Sequence, residues 1–365
     1  MTWSERANGW PRPLRRFAAM ALALVLMSGL VSCSSSGASG EVGVSLILKT
    51  LTNPYFVSMK QAAQAQAAKD HVRLSVAAGT ADGDTQSQIN AIDTAIARGD
   101  KGILITSNGD AVNAALRQAK DNGLFVIALD TPLNPASTAD ITYATDNEAA
   151  GKLVGQYAAA KLAGKHAVIA MLDLFNTQVV SVDVNRDHGF LEGMGIDPRS
   201  SSVNAKEAKS GKYSGGTYTI ACHQPTQGAV DGGRTAMEQC LSANPAINVV
   251  YTINEPAARG AFAALTAARK QNSVILVSID GSCEGMADVK SGLFDADATQ
   301  YPGKMAALGV ASIANLARGG PKPSVSSGKD FLDTGTALVT GAKLPGLTSQ
   351  TPEQALSTCW GSTTG

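Results

Sequence analysis

Polar and aromatic side chains recur in this 365-residue chain directly after the short apolar runs that predict strands. They comprise aromatic rings, planar amides, carboxylates and one guanidinium group: Asn53, Tyr55, Phe56, Asp130, Phe175, Asn176, Gln178, Arg186, Asn254, Asp280 and Gln300. Carboxylates accept hydrogen bonds from pairs of hydroxyl groups, whereas amide and guanidinium groups donate to hydroxyl and ring oxygens. Aromatic rings cover apolar C–H faces. These residue types predict a site for a polyhydroxylated small molecule.

Each of these side chains also has a purely structural interpretation. An Asp or Asn after a strand often caps the helix that follows, and Tyr55 and Phe56 fit the core face of a helix equally well. Arg186 can pair with Asp183 or Asp187 at the surface, an interaction that is worth little. Singly the residues indicate little, but their joint placement at one predicted sheet edge favours a binding site.

The elements that must position these residues alternate between strands and helices. Apolar runs predict strands at 42–48, 72–76, 102–106, 124–129, 141–145, 167–172, 218–220, 249–253, 274–279 and 336–339. Apolar residues at helical spacing predict helices at 55–68, 84–97, 111–122, 148–162, 187–193, 234–241, 256–270 and 305–316. This alternation, which restarts after Thr145, predicts an α/β fold with two doubly wound parallel sheets. The polar segment 200–216 predicts a surface loop.

The N-terminal segment has the pattern of a secretory leader. Arg residues precede an apolar run from Phe17 to Val31, and small residues follow, so residues 1–32 predict a signal peptide. The sequence Leu30-Val-Ser-Cys33 resembles the lipobox of bacterial lipoproteins, which implies that Cys33 carries a lipid anchor. Residues 33–40 then predict a flexible spacer. An ordinary secretory peptide and, from Arg15-Arg16, a twin-arginine export signal are the alternatives.

Four further cysteines follow the leader: Cys222, Cys240, Cys283 and Cys359. An even number in an oxidising compartment indicates disulfides. Three pairings are possible. We favour Cys222–Cys240, which closes a short loop, and Cys283–Cys359, which would hold the C-terminal tail. Buried free thiols and a metal site are the alternatives.

Composition and motifs narrow the classes of function. Lys and Arg number 30, as do Asp and Glu, and no basic patch indicates nucleic-acid binding. No nucleophile elbow, phosphate-binding loop or dinucleotide fingerprint follows a predicted strand, and the four His residues lack metal-ligand spacing. We therefore expect neither an enzyme nor a cofactor nor a metal. Glycoside hydrolysis by paired Asp130 and Asp280 is the enzymatic alternative.

Seven short motifs carry a resemblance to a known family. They are Asn53-Pro-Tyr-Phe56, Leu129-Asp130, Asp146-Asn147, Arg186-Asp-His-Gly-Phe190, Asn254-Glu-Pro-Ala-Ala258, Ile279-Asp-Gly281 and Thr299-Gln-Tyr-Pro302. Over residues 42–345 the chain resembles the periplasmic sugar-binding proteins of ABC importers, of the ribose-binding type. The resemblance implies ligand contacts at Asn53, Tyr55, Phe56, Asp130, Arg186, Asn254, Asp280 and Gln300.

One departure from the ribose binders bears on the ligand. They have an Arg after the Asp of the fourth strand, and this chain has Thr131. Segments 130–132, 173–178 and 254–257 look more like the fructose-binding branch. That likeness implies further contacts from Lys49, Phe175, Asn176 and Gln178.

The resemblance also implies an architecture and a role. It implies the type I periplasmic-binding-protein fold, in which the chain crosses three times between an N-terminal lobe (41–145 plus 301–333) and a C-terminal lobe (146–300 plus 334–365). The protein would capture a fructose-like monosaccharide or a sugar alcohol between the lobes, as a monomer outside the cytoplasm, and deliver it to an ABC permease. Alternatives are a sugar sensor for a membrane kinase or chemoreceptor, and a binder of a pentose or a polyol such as xylitol. A cytosolic repressor would need a DNA-binding helix pair where the leader stands.

Overall fold

A computed structural model describes residues 41–81 and 83–362, so the predicted signal peptide, Cys33 and the spacer lie outside the described residues. The strands are β1 (Val42–Leu48), β2 (Val72–Ala78), β3 (Gly102–Ile105), β4 (Phe125–Leu129), β5 (Ile141–Ala144), β6 (Ala167–Asp173), β7 (Ser210–Tyr213), β8 (Gly216–Pro225), β9 (Val249–Thr252), β10 (Ile275–Asp280), β11 (Ala296–Thr299), β12 (Leu332–Asp333) and β13 (Leu338–Thr340). The α-helices are α1 (Pro54–Lys69), α2 (Thr85–Ala97), α3 (Asn113–Asp121), α4 (Asn147–Leu162), α5 (Ser181–Met194), α6 (Val230–Ala243), α7 (Glu255–Ala267), α8 (Cys283–Ser291), α9 (Pro302–Ala317) and α10 (Pro352–Ala355).

The strands form two separate sheets. The first has the order β12-β5-β4-β3-β1-β2, and all of its pairings are parallel. The second has the order β13-β11-β10-β9-β6-β8-β7, with a parallel centre and antiparallel edge strands β13 and β7. Each contains the same doubly wound order among its parallel strands, in which β1 lies between β2 and β3, and β6 lies between β8 and β9. The predicted fold class is therefore confirmed.

The chain passes between the two sheets three times. It leaves the first sheet after β5, because α4 packs into the core of the second sheet. It returns after β11, since α9 packs against the first sheet, and it crosses again between β12 and β13. Three connecting segments therefore join the sheets, as the resemblance implied.

Both sheets are covered by apolar side chains on both faces. Along β1, Leu46 faces one buried cluster of the first sheet and Ile47 faces the other, and both side chains are completely buried. Met171 and Leu172 alternate in the same way along β6 of the second sheet. Burial on both faces explains why these strands read as continuous apolar runs, and it leaves the strand ends as the places where polar side chains can gather.

Asn residues that cap two helices hold polar groups at those strand ends. The Asn53 side chain accepts a hydrogen bond from Tyr55 N (2.9 Å) at the start of α1, and the Asn254 side chain accepts one from Ala257 N (3.1 Å) at the start of α7. Each cap is followed by a Pro, whose missing N–H costs nothing in the first turn. Both Asn residues are thus helix caps, as the structural interpretation predicted. Capping also holds their side chains at the strand ends.

Several elements differ from the prediction. The predicted loop at 200–216 contains β7, a polar edge strand without the apolar pattern of the central strands. Helix α5 begins at Ser181 rather than 187, and β8 extends to Pro225. Helices α8 and α10 and strands β11 and β12 were not predicted. Strand β11 reads Ala-Asp-Ala-Thr, which is too short and too polar to stand out.

Both favoured cysteine pairs are bonded in the structure. Cys222 bonds Cys240 with an S–S distance of 1.98 Å, and Cys283 bonds Cys359 with one of 1.89 Å. The first bridge joins β8 to α6, and the second ties the tail that follows α10 to the start of α8. Within residues 41–81 and 83–362, every helix is too short or too polar to cross a lipid bilayer.

Candidate functional site

A cavity of about 400 Å³ lies at the carboxyl ends of strands from both sheets. Its lining comes from the segments that follow β1, β4, β9, β10 and β11, from α5 and from the C-terminal tail. The lining residues that carry the argument are Asn53, Tyr55, Asp130, Arg186, Asn254, Glu255, Asp280, Gln300 and Trp360. A doubly wound sheet binds ligands beyond the carboxyl ends of its strands. This cavity is therefore the candidate site.

The first sheet and its helix α1 contribute a carboxylate and a tyrosine that are hydrogen-bonded to each other. The Tyr55 hydroxyl donates to Asp130 Oδ1 at 2.7 Å, and burial, with the charge of Asp130, raises the pKa of Tyr55 well above its usual value. Thr131 donates to Asp130 Oδ2 at 3.1 Å. Asp130 has φ of 69°, a left-handed conformation that is strained for a residue with a side chain. This backbone turns the carboxylate toward the cavity.

The second sheet contributes a buried guanidinium group. Arg186, only 5% exposed, donates from Nε to Asn147 Oδ1 at 2.8 Å and from Nη1 to the Ile253 carbonyl oxygen at 2.7 Å. Its Nη1 also lies 3.7 Å from Asp280 Oδ1. Arg186 therefore does not form the surface ion pair with Asp183 or Asp187 that was the alternative interpretation. It is a buried donor held at the wall of the cavity.

Asp280, at the end of β10, is the acceptor at the centre of this wall. Gln300 Nε2 donates to its Oδ1 at 2.9 Å, and Glu255 N lies 3.3 Å from its Oδ2. Burial raises the pKa of Asp280 to about 6, although Arg186 opposes that shift. A ligand hydroxyl that donates to Asp280 would compensate the desolvated charge.

Glu255 supports this arrangement and was not among the predicted site residues. It is 1% exposed and accepts hydrogen bonds from the backbone N–H groups of Gly281 (3.1 Å) and Ser282 (2.8 Å), from the Ser282 hydroxyl and from Arg259. Burial, followed by the charge of Asp280, raises the pKa of Glu255 to about 7. Glu255 therefore holds the turn that follows Asp280.

Trp360, in the C-terminal tail, was also missed. Its Nε1 donates to the Asp280 carbonyl oxygen at 3.1 Å, and Cys283 N donates to the Trp360 carbonyl oxygen at 2.9 Å. Its ring meets the Tyr55 ring edge to face, with centroids 5.2 Å apart. Trp360 therefore contacts groups from both sheets. The one signal in the sequence was its position next to Cys359, a predicted bridge residue.

The other predicted contacts lie elsewhere. Phe56, 5% exposed, packs in the core beneath Tyr55, and Lys49 does not line the cavity. Phe175, Asn176 and Gln178 line a separate cavity of about 390 Å³ on the second sheet. Of the predicted set, the structure brings together Asn53, Tyr55, Asp130, Arg186, Asn254, Asp280 and Gln300.

Comparison with known proteins places this geometry in a family. The family described as periplasmic binding protein domain matches residues 44–321. The chain belongs to the periplasmic binding protein family. It is 28% identical over 299 residues to the ribose import binding protein of Salmonella typhimurium, covering 81% of this chain and 92% of that protein. It is 23% identical to the D-allose-binding periplasmic protein of Escherichia coli, over 86% and 96% of the two chains.

Solved structures agree on the fold of this periplasmic binding protein. An ABC transporter periplasmic solute binding protein from Actinobacillus succinogenes, solved with bound D-allose, superposes with a TM-score of 0.70 at 22% identity. The match covers 87% of this chain and all of that one. A galactofuranose binding protein superposes with a TM-score of 0.67 at 21% identity, over 87% and 96% of the two chains.

The raised pKa of Glu255 predicts a pH dependence of stability. Because its folded-state pKa of about 7 exceeds the usual 4.5, the folded protein binds this proton more tightly than the unfolded chain does. The contribution to the free energy of unfolding is therefore present below pH 4.5 and is lost as the pH rises through 7. Glu255→Gln should flatten the pH dependence of the free energy of unfolding. The difference from the wild type should change by up to about 3 kcal/mol between pH 4.5 and pH 7.

Urea denaturation of the ligand-free protein between pH 4.5 and 8 would measure the effect. Glu238→Gln, at an exposed glutamate paired with Arg234, is the matched control and should keep the wild-type pH profile. Parallel wild-type and Glu255→Gln profiles would show that Glu255 ionises normally.

Proposed function

We propose that this protein binds a monosaccharide or sugar alcohol in the cavity between the two sheets and delivers it to an ABC permease, without turnover. The observation that carries the proposal is the convergence of Asp130 from one sheet and Asp280 and Arg186 from the other on one cavity of about 400 Å³. That volume suits a small ligand. The names of the curated relatives, which describe ribose import and allose binding, support the class of ligand.

The proposed recognition divides the ligand surface between polar and aromatic groups. Asp130 and Asp280 would accept hydroxyl protons, and Arg186 would donate to a hydroxyl or ring oxygen. The rings of Tyr55 and Trp360, which already contact each other, would cover the apolar C–H groups of the ligand. Both kinds of contact need water to be excluded, which closure of the cleft would provide.

The proposed response to the ligand is a hinge closure. We assign residues 41–145 and 301–333 to one lobe and residues 146–300 and 334–365 to the other. A ligand held by Asp130 on one lobe and Asp280 on the other gains contacts only when the lobes approach, so it favours the closed form by differential affinity. The closed form would present both lobes to the permease together.

We further propose a fructose-like hexose or a polyol rather than ribose. Thr131 stands where the ribose binders have an Arg, and its hydroxyl donates to Asp130. A neutral hydroxyl group therefore stands beside Asp130 where the ribose binders have a guanidinium group. Ribose would lose one charge-assisted hydrogen bond at this place.

A thermal-shift screen of the purified protein against hexoses, pentoses and polyols tests the proposed function. A ligand at 100 times its dissociation constant should stabilise the fold by about 2.7 kcal/mol. We expect a narrow set of sugars or polyols to raise the melting temperature, with ribose among the weaker. Aryl glycosides should be neither bound tightly nor hydrolysed. A melting temperature that no sugar or polyol changes would count against the proposal.

Asp280→Asn tests the central acceptor with the ligand that the screen identifies. Asn keeps the shape of the side chain but removes the charge, so affinity should fall by about 10- to 100-fold, the range expected for one charge-assisted hydrogen bond. Isothermal titration calorimetry would measure the change. Because burial already disfavours the Asp280 charge, the fold should survive.

The matched control is Asp295→Asn. Asp295 precedes β11 at the opposite end of the same sheet, where it accepts from Leu276 N and pairs with Lys161, away from the cavity. The Asp295→Asn protein should bind the ligand with wild-type affinity. Equal affinity in Asp280→Asn as well would remove Asp280 from the site and leave the cavity in need of another acceptor.

Membership of the periplasmic binding protein family indicates an extracytoplasmic location. We propose in addition that lipid on Cys33 tethers the protein to the outer face of the membrane. Cys33→Ala should move the protein from the membrane fraction to the soluble extract, as immunoblotting of fractionated cells would detect. Membrane association that survives the substitution would contradict the anchor.

A further inference from the structure

A second group of ionisable side chains lies apart from the cleft, around the end of β6. We call Asp173, Asp187, Glu207 and His223 the histidine–carboxylate cluster. Asp173 ends β6, Asp187 lies on α5, His223 lies on β8, and Glu207 belongs to the segment before β7. Asp173 and His223 line the cavity of about 390 Å³ that also takes in Asn176 and Gln178. This cavity is separate from the one that Asp280 lines.

Asp187 is the unusual member of the cluster. Its side chain is completely buried, and neither of its carboxylate oxygens has a hydrogen-bond partner in the described structure. Its Oδ2 faces His223 Nδ1 at 4.0 Å, and its Oδ1 lies 4.0 Å from His188 Nε2. Asp173 Oδ1 is also buried without a partner. Buried carboxylate oxygens are costly unless a cation or a donor satisfies them.

The charges around Asp187 do not balance. Asp173, Asp187 and Glu207 supply three carboxylates, and His223 lies between two of them, 2.7 Å from Asp173 Oδ2 and 2.8 Å from Glu207 Oε1. Arg186, the next residue along α5 from Asp187, is directed to Asn147, the Ile253 carbonyl and Asp280 instead. With Asp183, which lies beside Asp173, four acids therefore share this region with His223, His188 and Lys206, and a divalent cation would offset the excess of acids over neutral histidines.

The geometry suits such an ion. One ligand atom each from Asp173, Asp187 and His223 lies within 4.8 Å of the other two. Small shifts would bring these atoms to the distances of about 2.0–2.2 Å that zinc requires of imidazole and carboxylate ligands. Glu207 accepts from His223 Nε2, as a carboxylate commonly does behind a metal-bound imidazole, and this leaves Nδ1 for the ion.

We propose that Asp173, Asp187 and His223 form a site for a divalent transition metal ion of the Zn²⁺ or Mn²⁺ class. Two carboxylates and one imidazole are the hard and borderline ligands that such ions accept. Water could reach the ion from the cavity that Asp173 and His223 line. Binding replaces the Nδ1 proton of His223, which passes to solvent. The ion would join β6, α5 and β8.

Metal titration of the purified protein, stripped first with a chelator, tests the site. Zn²⁺ should bind with one-to-one stoichiometry by calorimetry and raise the melting temperature, and Co²⁺ should show visible absorption bands typical of nitrogen and oxygen ligands. Asp187→Asn and His223→Gln should each weaken Zn²⁺ binding by more than about 100-fold, and Glu207→Gln by about 10- to 100-fold.

His166→Gln is the matched control, because His166 is an exposed histidine that precedes β6, at the opposite end of that strand from Asp173, where its ring is hydrogen-bonded to Thr217. It should bind Zn²⁺ as the wild type does. Wild-type affinity in a folded Asp187→Asn or His223→Gln protein would overturn the proposal. So would a wild-type protein that takes up no stoichiometric ion at micromolar concentration, in which case Asp173 and Asp187 share a proton instead. Should Asp187→Asn fail to fold, His223→Gln and the Co²⁺ spectrum of the wild type decide.

Discussion

The buried guanidinium group of Arg186 is the constraint around which the cleft is organised. A buried charge must be paired and hydrogen-bonded, and Arg186 finds its partners on three separate elements. Asn147 lies at the first crossing between the sheets, Ile253 follows β9, and Asp280 ends β10. The polar contacts of this one side chain therefore hold a connecting segment and the ends of two strands together.

The surplus of acids around Arg186 defines what the cleft can accept. Glu255 and Asp297 lie behind Asp280. After burial itself, the charge of Asp280 raises the pKa of Glu255, and the charges of Glu255 and Asp280 raise the pKa of Asp297. Asp130 adds a further acid from the first sheet, and Arg259 is paired with Glu255, Glu284 and Asp288. An anionic ligand would meet repulsion there. Neutral molecules rich in hydroxyl donors suit such a wall, since each donor offsets desolvated acceptors.

Much of the fold could be predicted because buried parallel strands are continuous apolar runs. Strand β1 was predicted with its exact bounds, and α1, α2 and α4 to within two residues. Strand β11 and helix α8 escaped because Ala296-Asp-Ala-Thr299 and Cys283–Ser291 carry no such pattern. They are held by neighbours, β11 between β10 and β13, which periodicity cannot reveal.

The candidate site could be predicted only for residues at the carboxyl ends of parallel strands. Asp130, Asn254 and Asp280 follow predicted strands, and they were predicted to lie together because parallel strands bring their carboxyl ends to one edge of the sheet. Tyr55 and Phe56, adjacent in α1, were predicted alike, yet consecutive helical residues point in different directions. Trp360 and the histidine–carboxylate cluster depend on contacts between residues far apart in sequence, so no spacing indicates them.

The position of the tail at the cleft has a practical consequence for protein engineering. Trp360, Gly361 and Ser362 line the cavity, and the Cys283–Cys359 bridge fixes the segment that precedes them. A fluorophore coupled at Ser362→Cys, or a reporter domain fused after residue 362, would begin at the mouth of the cleft instead of on a remote surface. Occupancy could then be read directly as an optical signal, whereas a bulky purification tag at the same place would obstruct entry.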